Sequence, residues 1–291
     1  MGEFENLKKG WNIYHYYFTI VIFFIFVLLN YFSRNFTVES LNMALMISAV
    51  TFLFGFITNI NFSMLLKKVH SLRDALAQET ASLVSVYLLS KHLGKEFHEK
   101  IAKLVDGYTI YTLRDYKKYE SGREFVYGMY DDLSLMEMDS EYKRSIASRL
   151  LSELTSFEKV REELEYLTSN RMEISLKLVN YLLGTILIIL LFLNRGDMFT
   201  NALFVILSTT IIFLFLIVED YDELKIEDYA TNISNSEQIF DLIGKERYYP
   251  QEILSKIKLE KGRKYRIGIF DSKSGKEKIF ELEYGKNKKI K

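Results

Sequence analysis

The sequence predicts an all-α integral membrane protein in which four transmembrane helices form two hairpins around a cytoplasmic helical bundle, with a small C-terminal β-hairpin after them. Three observations carry this. Four apolar stretches, Tyr14 to Phe32, Leu41 to Phe62, Leu178 to Leu193 and Met198 to Val218, each approach or exceed the roughly 20 residues that take a helix across a ~30 Å hydrocarbon core. They come as two close pairs, joined through Ser33 to Ser40 and Asn194 to Asp197, on either side of a long charged middle. A single proline, Pro250, leaves every long segment before it free to be continuous helix.

Basic residues near the membrane ends set the orientation, because cytoplasmic flanks hold the excess of Lys and Arg. The short loops offer Arg34 and Arg195, whereas the other side has Lys8, Lys9, Lys67, Lys68, Arg73, Arg171, Lys177 and Lys225. Both termini and the middle segment are therefore expected in the cytoplasm of a multi-pass cell-membrane protein. The first apolar run is too long for a signal-peptide core and no small-residue cleavage site follows it, so it is expected to remain as an anchor.

Composition narrows the function classes. Lys and Arg number 38 against 38 Asp and Glu, so no net charge attracts nucleic acid. With 0 cysteines there are no disulfides, thiolate zinc sites or cysteine nucleophiles. His70, His92 and His98 lack metal spacing, and neither a phosphate loop nor a nucleophile elbow occurs, so an enzyme is not expected.

Residues 1–13, ending near Trp11, read as an interfacial lead-in to the first transmembrane hairpin, residues 14–62. The cytoplasmic domain, 63–177, starts as an unbroken continuation of the second span to Leu89. A second helix covers Glu96 to Leu113, with Ile101, Leu104, Val105 and Tyr108 at helical spacing. Tyr119 to Met129, holding Gly122 and Gly128, reads as a break or turn. The longest soluble helix is predicted to begin near a cap at Asp139 and to reach the third span. Its apolar stripe is Ile146, Leu150, Leu154, Phe157, Val160, Leu164, Leu167 and Ile174. The second hairpin, 178–218, leads into an acidic juxtamembrane segment, 219–244, with a short helix at Ser236 to Leu242. In the tail, 245–291, Tyr265 to Phe270 and Lys278 to Tyr284 alternate around Ser272-Lys273-Ser274-Gly275, a hairpin signal.

Two places concentrate chemistry. On the second span Ser48, Phe52, Phe56, Asn59 and Ser63 step by fours and threes, so they share one helical face that mixes polar groups with phenyl rings. An amide such as Asn59 is costly in hydrocarbon, so this face should meet protein or water. Helix packing, eased by Gly55, Thr51 and Thr58, gives the same pattern as a pore. In a ring of subunits the stripe would line the axis, its phenylalanines making a dewetting constriction. At the end of the fourth span Glu219, Asp220, Asp222, Glu223, Glu227 and Asp228 crowd around Lys225. Hard carboxylate oxygens at that density suit calcium, although a solvated acidic face has the same look and the glycine of an EF-hand loop is missing.

Two hairpins around a helical cytoplasmic segment resemble the bestrophin family and the related bestrophin-like membrane proteins of prokaryotes. Thr51-Phe52-Leu53-Phe54-Gly55-Phe56 is similar to the bestrophin neck, where apolar side chains one turn apart narrow the pore; Ser48 stands where a third neck residue would be. Val218 to Glu223 and on to Asp228-Tyr229 lies where bestrophins carry an acidic calcium clasp, without the usual Pro-Phe-Gly lead-in. The likeness spans roughly Leu41 to Gly244. It implies a pentameric ion channel gated at the neck, with calcium bound by Asp220, Asp222, Glu223, Glu227 and Asp228 as a set. Its partners would be the lipid bilayer, further copies of the chain and permeant inorganic ions. The contrasting reading is a non-conducting membrane-anchored scaffold or sensor acting through its cytoplasmic helices.

Overall fold

A computed structural model describes residues 5–33, 41–115, 122–223, 228–257, 259–271 and 276–284. Contacts divide the chain into two compact units, one of Lys8–His70 with Arg171–Ile226, the other of Met1–Leu7, Ser71–Asn170 and Glu227–Lys291.

The first unit is made of α1 (Glu5–Phe32), the leading part of α2 (Leu41–Ser90), α6 (Ile174–Leu193) and α7 (Met198–Asp222). Its core is aliphatic and aromatic: Phe54, Leu187, Leu191, Phe204, Val205 and Ile211 are buried together. Rings meet edge to face, Phe26 on Phe204 at 5.5 Å and Phe54 on Phe215 at 6.3 Å, the geometry that their quadrupoles favour. Gly184 lets α6 approach α7, because a Cβ there would overlap the Phe215 ring. Between them the turn at Asn194–Asp197 is fixed by a capping box, Asp197 accepting from the amides of Phe199 at 2.7 Å and Thr200 at 2.8 Å. Beside it, buried Arg195 donates to the Phe192 carbonyl at 2.6 Å and, from Nη1, to Asn30 Oδ1 at 3.2 Å and Ser33 Oγ at 3.0 Å, joining the end of α1 to this turn.

Among the described residues, three stretches contain helix long and apolar enough to cross a membrane: Asn42–Leu93, Glu141–Leu193, whose helix is interrupted between Ser169 and Ile174, and Met198–Asp222; the apolar part of α1 that is described, Tyr17–Phe32, is shorter.

The second unit holds the rest of α2, then α3 (Lys95–Asp115), α4 (Arg123–Ser134), α5 (Glu141–Ser169), α8 (Asp228–Ile243), β1 (Arg247–Pro250), β2 (Lys264–Asp271) and β3 (Lys276–Glu283). Along α3, Phe97, Ile101, Val105 and Tyr108 recur at steps of four and three and meet Val126 and Met129 of α4 and Ile146, Leu150, Leu154 and Phe157 of α5. Within Tyr119 to Met129, expected to be a break, Gly122 stands at a helix boundary as the N-cap of α4, whereas residues 123–129 are helical and Gly128 serves packing; Tyr119 to Ser121 lie outside the described residues. Leu104 sits against Gly128 and the Phe125 ring against Gly107, where a side chain would collide. The cap of the long helix lies one residue after the predicted one: Ser140 accepts from the Lys143 amide at 3.2 Å, while Asp139 pairs with the Lys143 ammonium at 2.8 Å. The helix ends at Ser169 and does not run unbroken into the third span, so Ile174 opens α6 and is exposed.

The predicted hairpin forms as β2 and β3, antiparallel with Ile267 opposite Phe280. Its neighbour β1, parallel to β2, was not expected from the sequence; buried Tyr248 and Tyr249 supply its β preference, and Pro250 closes it. The helix predicted at Ser236 to Leu242 starts earlier, at Asp228. This C-terminal region is not a free tail. Leu113, Ile233, Phe240, Tyr248, Tyr249, Ile253, Tyr265 and Ile267 form one buried cluster, and the Arg266 guanidinium grips Asp106 of α3 with two hydrogen bonds of 2.8 and 2.6 Å.

Candidate functional site

On α2 the side chains sort into two faces. At 100° per residue Ser48, Phe52, Phe56, Asn59 and Ser63 fall within an arc of about 80°, and all five are exposed. Phe52 is 72% and Phe56 56% exposed, large apolar surface that the chain itself does not cover. On the other side Met43, Phe54, Thr58, Asn61, Leu65 and Val69 are buried. Packing within the chain therefore uses Phe54 and leaves Phe52 and Phe56 out. Gly55 has open space where a Cβ would be, so it answers to no neighbour within the chain.

The packed face carries polar groups that the stripe pattern did not reveal. Thr58 donates to Oδ1 of buried Asn180 on α6 at 2.8 Å. One turn on, Asn61 is 0% exposed, and among the described residues neither atom of its amide has a hydrogen-bond partner. The signal was in the sequence: Thr58 and Asn61 stand three apart, on a face different from that of Asn59.

In the second unit the buried face of α2 brings in Glu79, 5% exposed, which accepts from Tyr108 and lies 3.5 Å from Arg161 of α5. Arg161 also donates to the Tyr108 hydroxyl at 2.5 Å. Burial pushes the Glu79 carboxyl above its usual range, and the neighbouring Arg161 charge and Tyr108 hydroxyl pull it back only in part.

The acidic run divides. Asp220, Asp222 and Glu223 fall in the first unit and Asp228 in the second; Glu227 and the side chain of Asp228 lie outside what is described. Asp222 is 2% exposed and thoroughly engaged. Its Oδ1 accepts from the Met172 amide at 2.7 Å and lies 3.8 Å from the Lys68 ammonium, while its Oδ2 is 2.6 Å from Lys177 Nζ, an ion contact more than an aligned hydrogen bond. Lys68 also donates to the Asp222 carbonyl at 3.2 Å. Glu219 accepts from Lys177 at 2.9 Å and from the Tyr181 hydroxyl, and Arg171 stands 3.9 Å from Glu223. Calcium takes six to eight oxygens that converge on one point. Among the described residues no three carboxylates or histidines converge so, and the oxygens of Asp222 point at ammonium groups. This described part does not fit a calcium cage. Sequence reasoning missed the lysines because Lys177 and Glu219 stand 42 positions apart. The available signal was Lys177 itself, a charge next to an apolar span that demands an acid nearby.

Residues 18–224 match the Bestrophin-like domain. No curated protein matches. Solved structures give the same answer for the fold. A crystal structure of a membrane protein superposes with a TM-score of 0.59 at 11% identity, covering 80% of this chain and 98% of that one. Two variants of a bacterial bestrophin homolog from Klebsiella pneumoniae give TM-scores of 0.57 at 12% identity and 0.55 at 11%, each over 80% of this chain and 99% of the other. With the family matched over most of its length, the chain belongs to the bestrophin-like family and is a mainly helical membrane protein.

Proposed function

We propose that this bestrophin-like protein is an ion channel, not an enzyme, and that it conducts as a ring of identical subunits, five in number, around one central pore. The observation that carries the reading is the exposed face of α2. A single striped helix cannot enclose a pore, but cyclic symmetry would set one copy from each subunit around an axis. Ser48 would lie at the outer end, Phe52 and Phe56 would form an apolar neck that resists wetting, and Asn59 and Ser63 would meet the ion below it with an amide and a hydroxyl.

All four apolar helices span the bilayer in this reading. α1 has 28 residues, and at 1.5 Å per residue it extends about 42 Å, more than a hydrocarbon core requires. Both chain ends and the second unit lie in the cytoplasm, following the basic flanks at Lys67, Lys68, Arg171 and Lys177.

The test is the subunit number of the detergent-solubilised complex together with ion flux from liposomes. Five subunits and measurable flux are expected. A monomer, or a stable oligomer that passes no ions, would leave the protein as a membrane-anchored scaffold.

A further inference from the structure

The acidic end of α7 is occupied from within the chain. The Lys177 ammonium stands between two carboxylates, 2.6 Å from Asp222 Oδ2 and 2.9 Å from Glu219 Oε2, with its side chain 13% exposed. The Asp222 side chain is fully enclosed, and its other oxygen is held by the Met172 amide at 2.7 Å and faced by Lys68 at 3.8 Å. Tyr181 fills the second oxygen of Glu219. Three helices thus meet through two lysines: α2 through Lys68, α6 through Lys177 and Tyr181, with Met172 just ahead of that helix, and α7 through Glu219 and Asp222. An ammonium in contact with two carboxylates of α7, the enclosed Asp222 and the partly exposed Glu219, does what a bound metal ion would do, cancelling their repulsion and tying α7 to α6, but it cannot dissociate.

We propose that Lys177 is a tethered cation that takes the place of a free divalent ion at the acidic end of α7, so that this junction is held closed in the absence of calcium. The proposal concerns fold and ion response only, and its readout is thermal stability, so it stands or falls apart from conduction. Removing the ammonium while keeping the stem should expose Glu219 and Asp222 to each other, with Tyr181 and the backbone nearby as further oxygen donors. The junction should then accept the ion that the native chain excludes.

The experiment is thermal unfolding of the full-length protein in detergent, with calcium, with magnesium and with a chelator. Wild type should unfold at one temperature in all three. Lys177→Met should unfold several degrees lower in chelator, and calcium should restore most of that loss, magnesium less, since magnesium wants a tighter octahedral cage. A clear calcium shift in wild type would overturn the proposal, because the site would then be open. So would a Lys177→Met protein as stable as wild type and indifferent to calcium. If Lys177→Met does not fold, the double variant Lys177→Met with Asp222→Leu, which removes both charges, should recover a folded protein. Failure of the double variant as well would make Lys177 a packing residue and end the proposal.

Discussion

The two faces of α2 carry the same kinds of residue to opposite ends. Phe52 and Phe56 are exposed, whereas Phe54, two positions from each, is buried against Phe215, Leu187 and Leu191. Asn59 is exposed, and Asn61, two positions on, is wholly enclosed. Residue type therefore does not decide role on this helix; the angle about its axis does. One face builds the fold of a single chain, and the other is left for whatever that chain meets. Hydrophobic burial cannot be the reason for the sorting within a bilayer, since lipid tails are as apolar as leucine, so packing fit and polar contacts must be.

This contrast can be broken by substitutions, starting with the largest effect. In the second unit the packed face of α2 carries one half of a buried charge pair, Glu79 with Arg161. Arg161→Met should strand the Glu79 carboxylate and cost about 3–5 kcal/mol, the range for removing one partner of a buried ion pair. Denaturant unfolding followed by circular dichroism would measure it, and a cost below about 1 kcal/mol would mean that water reaches the pair.

Next come the phenylalanines. Phe54→Ala should lose roughly 3 kcal/mol, the low end for a buried ring, because in lipid only the packing part is forfeited. Phe52→Ala and Phe56→Ala should leave thermal stability of the monomer fold nearly unchanged. Equal losses at all three positions would erase the distinction between the faces.

The asparagines give a smaller effect of opposite sign. Asn61→Leu keeps the volume and removes an enclosed amide, and should raise stability by about 1–2 kcal/mol. Asn59→Leu should leave stability alone and reduce conduction by drying the path below the neck. A marked loss of stability in Asn61→Leu would show that its amide has a partner after all.

Smallest is a pH effect at Glu79. Its carboxyl is raised above its usual 4.5, so the folded state holds the proton more tightly than the unfolded chain does. That contribution is present below pH 4.5 and is lost as pH rises from there through the folded value. Wild type should accordingly lose stability relative to Glu79→Gln as pH is raised from 4.5 to 7, measured by unfolding both across that interval. Parallel curves would mean that Arg161 fully offsets the burial.

How much of this was readable beforehand follows from what is local in sequence. Three of the apolar spans, the stripe on α2, the apolar face of α5 and the β2–β3 hairpin all rest on periodicity within one segment, and the described residues have them. The misses are relations between segments. Gly128 looked like a breaker because its packing partner, Leu104, lies on another helix. Strand β1 is short and ends in Pro250, and the β preference of its two tyrosines needs pairing with β2 to take effect. Lys68 and Lys177 mark orientation in the sequence, and their contact with Asp222 needs the middle of α2 brought to the start of α6 and the end of α7. Asn61 was overlooked because Asn59 had already supplied the polar residue that the stripe required.

The claim that the exposed face of α2 surrounds a shared pore is tested most directly by ion flux from liposomes holding equal amounts of wild type and of the double variant Phe52→Ala with Phe56→Ala. Wild type should conduct, and the variant should conduct more, because a wider and less apolar neck wets more readily. Flux unchanged by the double substitution, or a wild type that passes no ions, would contradict the account and return these rings to a role in lipid or subunit packing.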